Sequence, residues 1–383
     1  MNEALNIGLD AKRIVRNSTG LGSYGRTLVN DLAEIAPTGT HFHLYAPDQG
    51  QEELRRQINK SEAVSFDYPR SSMPKWMWRT FGMVKQLKAD NIQVYHGLAG
   101  ELPVGIGRSG IPSVVTIHDL IFMRHPEYYN PIDAKLYTWK LRRTLKEADR
   151  IIAISECTRR DIMLLGGIPP ERIQLIYQSC STFFKLRESE DKLQDVNARY
   201  MLPARYIVSV GTIEERKNIL LAVKALHRLP EDLSLVIVGR STPYALEVQK
   251  YARDNRLEGR VMMLHNVPNA DLPAIYQMAE ACVYPSRYEG FGIPVIEAIQ
   301  SGLPVVACTG SCLEEAGGND SIYVDPDDVQ GMAESISQVL KGAPGREQRI
   351  ERAQRYIHRF EGNDVAGQIM ALYEQLAKRG NKY

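Results

Sequence analysis

Tyr206-Ile207-Val208-Ser209-Val210-Gly211-Thr212-Ile213-Glu214-Glu215-Arg216-Lys217-Asn218 is the stretch that decides the fold class of this chain. A short apolar, β-branched run reads as a strand buried on both faces. Gly211 and Thr212 end it, and a helical pattern over Ile219–His227 follows. A strand that turns directly into a helix opens a βαβ unit, whose strands must be parallel because a crossover separates them.

The same alternation extends in both directions. Downstream, strand-like runs occupy Leu233–Val238, Val261–Leu264, Ala281–Tyr284, Pro304–Val306 and Ser321–Val324, with a helical pattern over Pro243–Asn255. Upstream they occupy Leu5–Leu9, Phe42–Tyr45, Val94–His96, Val114–Ile117 and Arg150–Ile154. This predicts an α/β protein of two Rossmann-like, doubly wound halves. The charged segment Lys185–Arg199 suits a boundary, giving a domain over 1–184 and a second over 185–362. The amphipathic segment 363–383 has no following strand and is free to pack back on the first half. Open parallel sheets bind ligands beyond the carboxyl ends of their strands, so a cleft between two facing halves is the expected site.

The 383 residues, 44% hydrophobic and 24% charged, suit two globular domains. A net charge of +1 excludes a strongly basic nucleic-acid-binding chain. Up to Phe183 there are 23 Lys and Arg against 19 Asp and Glu, 23 − 19 = +4; the remainder carries 24 against 27, −3. That mild basic bias of the first half is too small for specific nucleic-acid binding and is tolerable near an anionic membrane. Met1–Asn6 carries no basic, apolar leader, and no apolar run is long enough to span a bilayer. Cys157, Cys180, Cys282, Cys308 and Cys312 are odd in number and form no CxxC pair. Five reduced thiols in a cytoplasmic protein are therefore expected.

The stretch richest in chemistry is Tyr284-Pro285-Ser286-Arg287-Tyr288-Glu289-Gly290-Phe291-Gly292-Ile293-Pro294-Val295-Ile296-Glu297. A strand ends at Tyr284, a glycine-rich loop follows, and Pro294 suits the first turn of a helix. Free N–H groups and the positive dipole end at a helix start favour a phosphate. Glu289 is expected in the loop and Glu297 on the first helical turn, flanking one cavity. Beside a phosphate their role is to grip hydroxyls, those of a sugar and of a ribose; the alternative is a helix cap and a dipole partner. Arg216 and Lys217, at the turn after Tyr206–Val210, could clamp a diphosphate and stabilise it as a leaving group. Cations oppose the dipole at a helix start, which favours that reading over a solvated basic pair.

In the first half, Gly20-Leu21-Gly22-Ser23-Tyr24-Gly25 fits GxGxxG, but nine residues separate it from the strand end near Asp10. A glycine-rich loop closing over a donor fits that position better than a nicotinamide fingerprint. His118, with Asp119, follows Val114–Ile117 and either positions a sugar hydroxyl or makes a structural His–Asp hydrogen bond. No His/Cys cluster stands at metal-ligand spacing, and Asp325-Pro326-Asp327 reads as a turn. Lys75–Lys88 mixes aromatics with cations; it reads as a core-facing helix with a basic face, or as a segment resting on a membrane or holding a glycan.

With these residues in view, the chain resembles the GT-B-fold retaining glycosyltransferases of family 4. The resemblance runs through Gly20–Gly22, His118-Asp119-Leu120, Ile154–Arg159 and Gly211-Thr212 to Arg216-Lys217-Asn218. It ends in Glu289 to Glu297 as an E-x7-E motif preceded by Pro-Ser. It implies that Arg216 and Lys217 bind the donor diphosphate, that Glu297 holds the ribose, and that Glu289 and the Gly290-Phe291-Gly292 backbone hold the sugar, with His118 on its other side. Gly20, Gly22, Gly211, Thr212 and Ser286 belong to the implied donor site; Gly239-Arg240 and Asn266-Val267 are candidate base-reading loops. Transfer with retention is implied, with no cofactor and no required metal. Many relatives have an Arg directly after the glycine, where this chain has Thr212. The Gly-Thr-x-Glu-x-Arg-Lys-Asn form looks most like bacterial mannosyltransferases of polysaccharide and O-antigen assembly. This suggests GDP-mannose ahead of a UDP-hexose as donor, a glycan or lipid-linked glycan as acceptor, and work at the inner membrane face. A nicotinamide-dependent dehydrogenase and a non-catalytic sugar-binding protein are the readings from other classes.

Overall fold

A computed structural model of the protein describes residues 4–18, 20–178, 182–360 and 364–380. The chain divides into two compact units, Met1–Gln178 with Asn363–Tyr383, and Ser179–Gly362.

The first unit is built on a seven-stranded parallel sheet: β1 (Asn6–Asp10), β2 (His41–Tyr45), β3 (Val64–Asp67), β4 (Val94–Gly97), β5 (Ser113–Ile117), β6 (Arg150–Ala153) and β7 (Ile173–Leu175). Their spatial order is β3-β2-β1-β4-β5-β6-β7, so the winding reverses between β1 and β4. One face is covered by the helix Gly20–Ile35, through Leu28, Val29 and Leu32, and by the helix Val365–Gly380, through Ile369, Tyr373 and Leu376. The other face is packed by Trp78, Met83, Leu87, Leu141, Leu145 and Ile162. Each such side chain contributes roughly 1.5–3 kcal/mol relative to exposure. Burial on both faces is why the central strands are continuous apolar runs. The final helix also makes a polar contact beneath the sheet: Tyr373 Oη lies 2.6 Å from Nδ1 of the fully buried His96, whose Nε2 is 2.8 Å from Thr116 Oγ1.

The second unit has a six-stranded parallel sheet: β8 (Tyr206–Val210), β9 (Ser234–Val238), β10 (Val261–Leu264), β11 (Cys282–Tyr284), β12 (Val305–Cys308) and β13 (Ile322–Val324). The order is β10-β9-β8-β11-β12-β13, with its reversal between β8 and β11. Leu221, Leu226, Leu235, Ile237, Val283 and Ile336 belong to its core.

One expectation, the glycine-rich loop, is revised. Gly20–Gly25 is not a loop: it forms the first turns of the helix Gly20–Ile35, which follows a separate helix, Lys12–Arg16. A Cβ on Gly22 would lie 1.8 Å from the carbonyl oxygen of Asn17, so the glycine permits a close backbone approach rather than a mobile lid. A strand passing straight into a glycine turn and a helix, as a dinucleotide fingerprint requires, is not what this segment makes. The Lys75–Lys88 segment is helical and core-facing, with Trp78, Met83 and Leu87 buried. β3 and β7, both edge strands, lack a sequence signature because neither is a continuous apolar run. Cys157, Cys282, Cys308 and Cys312 are buried; Cys180 lies outside the described residues, as does part of the 363–383 segment. Among the described residues, no helix is long and apolar enough to cross a membrane.

Candidate active site

The second sheet's topological switch point brings the turns after β8 and β11 together. The turn after β8 passes through Gly211 and Thr212 to the short 3-10 turn Glu215–Lys217. Asn218 then adopts φ +53°, a left-handed conformation that Asn tolerates, and its Nδ2 donates to the Pro326 carbonyl at 2.8 Å. The turn after β11 is tied to it: Arg287 N donates to the Arg216 carbonyl at 2.9 Å, and Ser286 Oγ lies 3.3 Å from the same oxygen. On its other side, Gly211 N donates to the Val238 carbonyl and Ile213 N to that of Arg240, each at 2.9 Å. A Cβ on Gly239 would fall 1.8 Å from the Gly211 carbonyl oxygen, so glycine is required where these turns cross. His265 and Val267 follow β10 at the same strand ends, and His265 Nδ1 is 2.7 Å from the Gly239 carbonyl.

Glu289 is the hub. Its Oε1 accepts from Lys217 Nζ at 2.5 Å and Ser286 Oγ at 2.5 Å, and lies 3.0 Å from Arg216 NH1 and 3.3 Å from Tyr284 Oη. Burial opposes ionisation of this carboxyl, yet Lys217 and Arg216 hold it at about 2. Lys217 also donates to Tyr284 Oη at 2.6 Å and sits 4.9 Å from that ring's centre. An ammonium has three donors, and two of those of Lys217 are engaged on Tyr284 and Glu289. Lys217, Gly211, Thr212, Ser209, Tyr284 and Pro285 line a recess at this point. Tyr284 was not singled out in sequence, although it directly precedes the Pro-Ser pair.

Gly292 is the N-cap of the helix Ile293–Gln300, with Pro294 at its start. Glu297 stands at its fifth position, one residue beyond the first turn expected for it. Its surroundings differ from those of Glu289. No cation is among the groups shifting it, and its nearest polar contact is a long 3.5 Å one from Tyr276 Oη. Burial therefore pushes Glu297 up to about 7. Tyr276 lies 21 positions upstream with no motif to mark it. Asp325-Pro326-Asp327 is a turn: Asp327 N donates to Asp325 Oδ1 at 2.9 Å, and Asp327 pairs with Arg287 at 2.5 Å. Among the described residues no group of three or more His, Cys, Asp or Glu side chains could hold a metal.

Within the first unit, His118 follows β5 and packs edge-on against Tyr24 of the glycine-bearing helix, ring centres 4.9 Å apart. The contact is made by Tyr24, on the same helix as Gly20 and Gly22. His118 Nε2 is 2.9 Å from the Leu98 carbonyl, and Gln178 Nε2 is 2.9 Å from His118 Nδ1. A carbonyl only accepts, so Nε2 carries the proton and Nδ1 accepts from Gln178. Burial lowers His118 to about 4, keeping it neutral. The Asp119 carboxylate turns instead to the N–H of Ile121 at 3.1 Å. Gln178 carried no sequence signal.

Two family models match the chain: residues 19–181 match Glycosyltransferase Family 4, and residues 201–356 match Glycosyl transferases group 1. O-antigen chain mannosyltransferase B of Escherichia coli is 31% identical over 329 residues, covering 84% of this chain and 82% of that protein. O-antigen chain mannosyltransferase RfbU of Salmonella typhimurium is 28% identical over 253 residues, 66% of each. Among solved structures, WaaG, a glycosyltransferase involved in lipopolysaccharide biosynthesis, superposes with a TM-score of 0.74 at 17% identity, over 96% of this chain and 99% of that one. Anabaena HepE with UDP and glucose gives 0.72 at 17%, over 96% and 98%. The shared fold is GT-B.

Proposed function

The chain belongs to the family 4 glycosyltransferases, and we propose that it moves mannose from GDP-mannose to a glycan or lipid-linked glycan in polysaccharide or O-antigen assembly, with retention of configuration. The observation that carries this reading is the pairing of Arg216 and Lys217 with Glu289 where two loops meet at a sheet's switch point. The resemblance of this chain to O-antigen mannosyltransferases supports mannose as the sugar. A UDP-hexose is the second donor, supported by the fold shared with a UDP-bound neighbour.

In this mechanism the diphosphate lies against the Gly211-Thr212 turn, the N-terminus of the helix Ile293–Gln300, and the charges of Arg216 and Lys217. Glu289 accepts hydrogen bonds from the sugar hydroxyls while remaining ionised, and the Gly290-Phe291-Gly292 backbone lies along the sugar. Glu297 accepts from the ribose hydroxyls, and Gly239, Arg240 and Val267 face the base. The bond from the anomeric carbon to the phosphate oxygen breaks as the acceptor oxygen bonds to that carbon on the same face. The acceptor's proton passes to the departing phosphate oxygen. The developing negative charge falls on the diphosphate, where Arg216 and Lys217 stabilise it. No metal enters the scheme because those two cations meet that charge. His118 receives a sugar hydroxyl on Nδ1. The reaction takes place at the cytoplasmic face of the membrane that holds the acceptor.

The test is a thermal-shift panel of GDP-, UDP- and ADP-sugars, followed by transfer assays on Glu289→Gln and Lys217→Ala. GDP-mannose should raise the unfolding temperature most. Both variants should lower transfer about 100-fold or more, the scale of losing one preorganised charge partner. Full activity in Glu289→Gln overturns the assignment.

A further inference from the structure

The helix Pro131–Glu147 in the first unit has a solvent face that its packing does not explain. It follows β5 and is capped by Asn130, whose side chain accepts from Ile132 N at 3.0 Å. Its inner face buries Ala134, Leu141, Thr144 and Leu145. Ile132, Leu136 and Trp139 point the other way and are 77%, 43% and 61% exposed. They stand at i, i+4 and i+7, on one stripe of the helix. Lys135, Arg142, Arg143 and Lys146 share that stripe. At about 100° per residue all seven fall within an arc of roughly 120°. The helix's two carboxylates, Asp133 and Glu147, lie outside that arc. Arg143 lies over the Trp139 ring at 5.9 Å while donating to the Leu102 carbonyl at 2.8 Å, so the indole is braced while still exposed.

We propose that this stripe docks the first unit on an anionic lipid surface. The apolar half, Ile132, Leu136 and Trp139, enters the headgroup–acyl boundary, and the exposed Lys135, Arg142 and Lys146 meet lipid phosphates. Three large apolar side chains in line favour a bilayer over a nucleic acid. Four cations without a carboxylate among them disfavour the same stripe of a second copy, since like charges would face one another. The Lys75–Lys88 segment exposes Trp76 and Phe81 but buries Trp78, Met83 and Leu87, and its Lys75 and Arg79 are held by carboxylates, Asp48 for the one and Asp10 with Glu101 for the other. The proposal rests on the transferase reading only for its purpose, delivery of a lipid-linked acceptor; docking itself needs no nucleotide sugar.

The test is co-sedimentation of the full chain with phosphatidylglycerol-containing vesicles, with phosphatidylcholine vesicles as control, in the absence of nucleotide sugar. The wild-type chain should bind only the anionic vesicles, and high salt should reverse binding. Trp139→Ser with Ile132→Ser, and separately Lys135→Glu with Arg142→Glu, should each weaken binding roughly tenfold or more, with unchanged unfolding temperature. Anionic vesicles should also blue-shift tryptophan emission, and Trp139→Phe should abolish that shift while Trp76→Phe preserves it. Binding that survives both double variants, or is lost on Trp76→Ser instead, overturns the proposal. So does a dimer that Trp139→Ser dissociates, or preferential retention by an RNA. Transfer of mannose to a water-soluble acceptor is a separate measurement, so failure of docking and failure of the transferase reading are distinguishable.

Discussion

At the scale of single residues, Glu289 and Glu297 show how two carboxylates in one motif take different states. Glu289 is held at about 2 against its burial by Lys217 and Arg216, whereas Glu297 is pushed up to about 7 by burial alone. Ribose hydroxyls donate best to an ionised carboxylate, so nucleotide binding should draw the proton off Glu297. The expected outcome is that GDP affinity rises from about pH 6 to about pH 8 by up to tenfold per unit and then levels, and that Glu297→Gln removes the slope; calorimetric titration at several pH values checks it. The same carboxyl is an acid whose folded pKa exceeds its unfolded one. Its contribution to stability is therefore full below the unfolded value and is lost as pH rises through about 7. A second expectation concerns His118. Because Nε2 is committed to the Leu98 carbonyl, a hydroxyl reaches Nδ1 only by displacing the Gln178 amide. Gln178→Leu should tighten binding of GDP-mannose relative to GDP by about 2–10-fold, the worth of one hydrogen bond no longer competing. An unchanged or lower ratio of dissociation constants contradicts that displacement.

At the scale of elements, the second unit's switch point depends on glycine at a crossing of turns. Gly239→Ala would drive a methyl group into the Gly211 carbonyl and separate the turns after β8 and β9. A loss of about 1–3 kcal/mol of stability and weaker GDP binding are expected together. Gly259→Ala, where a Cβ meets nothing within 4 Å, is the control and should leave both unchanged; denaturant melts and a nucleotide titration decide. Central elements were legible in sequence because burial on both faces of a parallel sheet demands unbroken apolar runs, as in Tyr206–Val210. β3 and β7 were not, since edge strands need no such run. The glycines at 20, 22 and 25 looked like a loop because glycine opposes helix formation. Tertiary packing wins there: Gly22 abuts Asn17 and Gly25 abuts Ile14, letting two helices meet closely. The donor motif was legible as residues, but its partners Tyr276, Tyr284 and Gln178 depend on contacts that spacing does not encode.

At the scale of the whole molecule, the order of the chain and the order of the fold differ. The first unit contains both ends: the helix Val365–Gly380 buries Ile369, Tyr373 and Leu376 in its core, and Tyr373 supplies the partner of His96 Nδ1. His96 is fully buried and pushed down to about 3 by that burial, so it is neutral and needs a hydrogen-bonding partner on each nitrogen. Without the helix Val365–Gly380, one face of the first unit's sheet keeps only the helix Gly20–Ile35 as cover, and the His96 imidazole loses a partner. Among the described residues, the second unit's core cluster runs from Ile207 to Leu340. A fragment ending at Gln178 should therefore not melt cooperatively, whereas a fragment spanning 183–360 should fold alone and bind GDP. Adding a peptide of residues 363–383 should restore a cooperative transition to the first fragment, and the same peptide carrying Tyr373→Phe should do so less well by about 1–3 kcal/mol, the cost of a buried polar group left unpaired. Calorimetry of the two fragments with and without peptide checks each step. A cooperative melt of the first fragment alone would mean that the returning helix is an addition to a core already complete.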